Sequence, residues 1–189
     1  MQDFISQAIK NGVALVDHGV CQFCGAAYDR GVFECMDNYN NGLQLIDFSN
    51  PENHLYTFLS VDAHALQHPE IHGRWSNHFH LTRLNLILEE KIKWNYKTSP
   101  LLSNFLNEYK LSRSKEFLSS PAPLARGLIT TKNFIQITEV EECKRLIKRW
   151  AEEVYHAWKE NHSIVSTIAK GFLEKINSLQ SEHKNTSAH

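Results

Sequence analysis

Apolar side chains recur at steps of three and four residues along most of this chain, and no other feature limits its fold as much. In the longest run Cys143, Ile147, Trp150, Val154 and Trp158 fall on one stripe, continued by Val165, Ile168, Phe172, Ile176 and Leu179. That spacing puts each set on one face of a helix. Thr138-Glu139-Val140-Glu141 reads as a capping box opening the run, and Asn161-His162-Ser163 as a break within it. Val32, Cys35, Tyr39, Leu43 and Ile46 predict a helix over 32–46 with Cys35 on its inner face. Ser49-Asn50-Pro51 supplies a cap and a first-turn proline for a helix that runs to His68, where Pro69 limits it. Ser76 caps another, reaching about Ile92, and Gln2–Lys10 is a short amphipathic helix stopped by Asn11-Gly12. Residues 97–137 are the least regular, with Pro100, Pro121, Pro123 and Gly127. They read as a short helix near 101–110, then irregular chain with a brief strand at Phe134-Ile135-Gln136-Ile137. The expected fold is mostly α: one multi-helix domain over residues 1–180, a knuckle at 19–30, a long C-terminal helix, and a frayed polar tail at 181–189.

A chain of 189 residues has room for one core. A net charge of -1 gives no basic surplus for nucleic acid. No apolar run reaches the roughly 18–20 residues of a membrane helix, and Asp3 stands where an export signal wants a basic residue. The expectation is a cytoplasmic protein without nucleic-acid or membrane partners. Its partners are otherwise open, self-association into a homo-oligomer among them. In such a compartment Cys21, Cys24, Cys35 and Cys143 stay reduced, as thiols or metal ligands rather than disulfides.

Cys21-Gln22-Phe23-Cys24-Gly25 has the spacing of a metal knuckle: two thiolates two residues apart can grip one zinc at about 2.3 Å. A redox pair would need a strand before it and a helix starting at it, and Ala26–Gly31 is a poor helix start. There is no second CxxC, so further ligands must come from elsewhere. Cys35 is the nearest thiol, although an inward cysteine also packs well as a small apolar residue. Six of the eleven histidines lie between His54 and His80. His54 and His68 share a helix face but stand about 21 Å apart along an unbroken helix, too far for one ion. His64 and His68 have the i, i+4 spacing of zinc-binding helices. Asp62 sits mid-helix among apolar neighbours and needs a partner, either a histidine or metal or a neighbouring element that it orients. His78 and His80 are about 200° apart on their helix, so His80 is read as inward and His78 as outward. His162 follows Trp158 by one turn and could reach the core.

These residues together resemble an uncharacterised bacterial domain-of-unknown-function family. Its pattern is a CxxCG knuckle, a further cysteine, a histidine leading into VDAxAxQHP, a later inward histidine before leucine, and a closing tryptophan helix. The matching residues here are Cys21, Cys24, Gly25, Cys35, His54, Val61-Asp62-Ala63, Ala65, Gln67-His68-Pro69, His80-Leu81, Trp150, Trp158 and His162. Tyrosine is the family's usual residue at position 64, and the resemblance therefore weighs against His64 as a ligand. The resemblance implies no activity. The reading is a helical zinc-binding protein, its ligands drawn from Cys21, Cys24, Cys35, His54 and His68. One rival is a metal-dependent hydrolase or thiol transferase in which His54, Asp62, His68 and His80 converge, with Asp62 and His80 catalytic. Others are a non-catalytic interaction module and a CxxC redox sensor.

Overall fold

The computed structural model of the chain describes residues 2–109 and 117–186. Among them are seven α-helices: α1 (Gln2–Lys10), α2 (Gly31–Gly42), α3 (His54–Gln67), α4 (Arg74–Leu88), α5 (Thr98–Glu108), α6 (Val140–Ala157) and α7 (His162–Thr186). Short 3₁₀ turns at Pro51–Asn53, Thr131–Phe134 and Lys159–Asn161 join some of them. The described residues contain no strand, only a single parallel bridge between Gly19 and Arg30. No helix among them is long and apolar enough to cross a membrane.

The stripes on α6 and α7 close the core. Ile147, Trp150, Val154, Trp158, Val165 and Ile168 are fully buried, and α3 packs on both α6 and α4. The two largest core side chains, Trp150 and Trp158, account for much of the apolar area removed from water. Trp158 also donates its ring N–H to the Leu66 carbonyl of α3 at 3.2 Å. Helix α4 is packed by α3, α5, α6 and α7 at once. That position explains a departure from the sequence reading. His78 was expected outward because it aligns with Thr82 and Asn85, yet all three are buried. Trp75 in the first turn of α4 is exposed, but the surrounding helices leave no solvent at these three positions, so their polar groups depend on partners inside. Asn85 donates to the Tyr155 hydroxyl at 2.8 Å, and His78 Nδ1 lies 2.9 Å from the Arg74 carbonyl.

Other elements depart locally. The cap before α3 forms as expected, with the Asn50 side chain accepting from Glu52 N–H. The box before α6 does not form: Glu141 accepts from Lys144 instead of folding back on the helix start. The strand expected at 134–137 is absent. Phe134 ends a 3₁₀ turn capped reciprocally by Thr130 and Asn133, and it buries against Trp150. A lone strand would have had no neighbour for its hydrogen bonds. The break between α6 and α7 falls at the expected Asn161, whose side-chain amide clamps both the N–H and the carbonyl of Ser119. The tail was expected to fray from 181, but α7 continues to Thr186, since nothing between Ser181 and Thr186 breaks a helix. Residues 187–189 lie outside the described residues.

Arg126 knots the irregular segments together. It is almost fully buried, pairs with both oxygens of Glu70, and donates to the carbonyls of Phe23, Gln67 and Pro121. Gln67 returns the link by donating to the carbonyls of Arg126 and Ile129. One guanidinium thus joins the knuckle, the end of α3 and the loop before the Thr131 turn. Removing it leaves three carbonyls and the Glu70 carboxylate without a donor. Arg126→Ala is expected to cost about 3–5 kcal/mol in urea unfolding, with amide exchange rising first in residues 119–131.

Candidate metal centre

Residues 13–30 have little regular structure, and two backbone bonds shape the knuckle: Gly25 N–H to the Cys21 carbonyl and Cys21 N–H to the Ala26 carbonyl, both 2.8 Å. Gly25 has φ +75, a backbone conformation that strains any residue with a β-carbon and favours glycine. The turn aims Cys21 and Cys24 at Cys35 in the first turns of α2 and at His68 just past the end of α3. The four donor atoms all lie within 4.8 Å of one another, and all four residues are buried. Cys24 Sγ is 3.7 Å from Cys35 Sγ, and His68 Nε2 is 3.5 Å from both Cys21 Sγ and Cys35 Sγ.

The imidazole is aimed by its other nitrogen. His68 Nδ1 lies 2.7 Å from the His64 carbonyl, which can only accept. The hydrogen therefore sits on Nδ1, and the Nε2 lone pair faces the sulfurs. The ring terminates α3 as well as serving the cluster, and Phe23 meets it edge-on. Behind Cys35, the Thr131 hydroxyl lies 3.2 Å from its sulfur and 2.9 Å from the Tyr28 hydroxyl. When Cys35 is a thiolate it can only accept, so Thr131 donates to it and Tyr28 donates to Thr131.

The charges in the cluster are unevenly placed. Hydrogen bonds from Cys24 and Cys35 hold the Cys21 thiol far below the ordinary thiol range. Cys35 is driven far above it by the sulfurs of Cys21 and Cys24 and by burial. Burial opposes charge on His68, but the sulfurs of Cys21 and Cys24 outweigh it and raise the imidazole to about 10. Within the cluster, negative charge is therefore favoured on Cys21 and disfavoured on Cys35, and positive charge is favoured on His68. A dication among the four donors would let all three sulfurs ionise. The cluster could hold one metal ion.

The remaining sequence candidates go elsewhere. His54 stands at the start of α3 against Tyr96, apart from the sulfurs. His64 is stacked between Tyr39 and His68 and offers no ligand atom to the cluster. Cys143 packs as a fully buried apolar residue, and His162 stacks on Tyr155. Asp62 is fully buried between α3 and α4, where it accepts from His80 Nδ1 at 2.6 Å and from the Arg83 guanidinium at 2.5–3.1 Å. The sequence reading grouped Asp62 and His80 with His54 and His68, of which only His80 meets Asp62, and it passed over Arg83 and Thr131. Arg83 lies three residues after His80, so both reach the same side of α4. Nothing local in the sequence marks Thr131.

His64, His72 and His80 line a cavity of about 470 Å³ between α1, α2, α3 and α4. Burial and the neighbouring His80 and His68 rings lower His72 to about 4. Burial, with His68 and His72 close by, also holds His64 well below the usual histidine range.

No curated protein and no solved structure matches the chain. A model of a protein family, described as a family of unknown function (DUF5946), matches residues 19–159, a span that runs from the knuckle through all of α6 and contains Cys21, Cys24, Cys35 and His68. With most of its length matched, the chain belongs to the DUF5946 family.

Proposed function

We propose that the protein is a zinc-binding protein in which one ion, held by Cys21, Cys24, Cys35 and His68, locks the knuckle to α2 and α3 as a closed structural site. The observation that carries this is the spacing of the donors. Around a tetrahedral zinc, sulfurs at about 2.3 Å and a nitrogen at about 2.0 Å stand about 3.8 Å apart for two sulfurs and about 3.5 Å for a sulfur and a nitrogen. Those match the 3.7 Å between Cys24 and Cys35 and the 3.5 Å from His68 to Cys21 and Cys35. Three thiolates and an imidazole also suit a borderline-soft ion better than magnesium or calcium, which take oxygen donors.

Closure argues for a structural over a catalytic role. Four protein ligands fill a tetrahedron, whereas a catalytic zinc keeps a position open for water or substrate. Burial weighs against a redox sensor, because Cys21 is 1% and Cys24 6% exposed and a sensor thiol must meet its oxidant.

Purified protein is expected to carry one zinc per chain by native mass spectrometry with elemental analysis. Cys21→Ser/Cys24→Ser should lose it, while Cys143→Ala and His54→Ala should keep it. Zinc retained by the double variant, or a wild type that carries none, would overturn the assignment. Stripping the ion with a strong chelator should destabilise the fold by about 4 kcal/mol or more, the gain from a ligand at a thousand times its Kd. For a chain of this size that lowers Tm by about 8–16 °C, measurable by calorimetry and reversed by added zinc. Acidification should release the ion, because protons compete for the sulfurs and for Nε2.

A further inference from the structure

The cavity beside the cysteine cluster holds a second polar constellation that the zinc does not use. Its walls are partly apolar, from Phe4, Met36 and Ile71, and its volume of about 470 Å³ is that of a small-molecule site. Among the described residues, no aspartate, glutamate, lysine or arginine lines it. One lining group is unsatisfied: His64 is 5% exposed, and its buried Nε2 has no hydrogen-bond partner among the described residues. A buried polar atom left without a partner is costly, and a ligand would relieve that cost.

His80 is the fixed polar group of this cavity. Its Nδ1 faces Asp62, and Arg83 holds the same carboxylate with two nitrogens. A carboxylate paired with a guanidinium only accepts, so Nδ1 must carry the hydrogen. In its neutral form His80 therefore offers the cavity a bare Nε2, which is an acceptor. Three requirements on a ligand follow. It must bring a hydrogen-bond donor to Nε2. It must be uncharged, because a charge buried without a countercharge is penalised. It must carry an apolar body of modest size for the walls.

We propose that this cavity is a binding site for a small uncharged alcohol or phenol, whose hydroxyl donates to His80 Nε2 while its apolar body lies against Phe4, Met36 and Ile71. The hydroxyl oxygen keeps its lone pairs, and a neutral His64 that carries its hydrogen on Nε2 can donate to one of them. Asp62 and Arg83 are positioning residues that set the tautomer of His80 without touching the ligand.

The test uses the full-length, zinc-loaded chain and four probes: p-cresol, anisole, benzoate and benzylamine. Calorimetric titration is read together with the ring ¹⁵N shifts of the histidines. The expected result is that p-cresol binds at least about tenfold more tightly than anisole, which lacks the donor, and moves His80 Nε2. Benzoate and benzylamine should bind more weakly than p-cresol. In Asp62→Asn the new amide donates to Nδ1, shifting the ring hydrogen to Nε2, so the preference should turn toward anisole. Should that variant fail to fold or to keep its zinc, Met36→Trp carries the test instead: it fills the cavity away from His80 and should abolish p-cresol binding. Equal binding of p-cresol and anisole, tighter binding of either charged probe, no binding of p-cresol, or p-cresol binding undiminished in Met36→Trp each overturns the proposal.

Discussion

Residues 13–30 have almost no secondary structure to hold their backbone in place, and their small apolar cluster (Phe23, Ala26, Tyr28, Val32 and Ile71 around Cys21, Cys24 and Cys35) is separate from the main core. What fixes them is the meeting of three sulfurs and one imidazole from the knuckle, α2 and the end of α3. An ion joining positions 21 and 68 would close a long loop, and the entropy lost by the unfolded chain grows with the length of that loop. The fold thus has two centres of cohesion of different kinds. One is a helical core held by area. The other is a compact cluster held by directed bonds.

His68 links the two centres. Its ring hydrogen returns to the α3 carbonyl of His64, so the orientation of the ligand depends on the helix being formed up to that point. The helix end depends in turn on Gln67, one residue earlier, which fastens the loop around Arg126. The string Asp62 to Pro69 therefore packs four tasks into just over two turns. Asp62 pairs with α4, Ala63 and Ala65 allow close packing, Gln67 ties the loop, and His68 faces the sulfurs. Side chains on successive faces of one helix can serve different neighbours in this way only because the helix is buried nearly all round.

How much of this was legible in the sequence follows from how local each feature is. The helices declared themselves through a period of three to four residues, and the knuckle through its CxxCG spacing. Cys35 and His68 could be listed as candidates, yet the choice between His68 and His54 is three-dimensional, because both lie on one face of α3 and only the tertiary path decides which end meets the knuckle. The outward assignment of His78 failed because polar neighbours signal solvent only for a surface helix, and α4 is covered at that position. Thr131 was beyond reach, since it lies 96 residues from the sulfur it touches, in the segment with the weakest pattern. The expected strand at 134–137 failed for a related reason: a run of apolar residues fits a buried turn as well as it fits a ladder.

Helix α1 has a consequence of another order. It lies outside the segment matched to the family, yet Phe4 and Gln7 form part of the cavity wall, and the Asn11 side chain fastens the helix end to the Ile71 carbonyl at 2.5 Å. The sulfurs, His68, and the Asp62, His80 and Arg83 group all lie inside the matched segment. A change at Phe4 or Gln7 can therefore reshape the cavity wall without touching the sulfurs, His68, or the Asp62, His80 and Arg83 group.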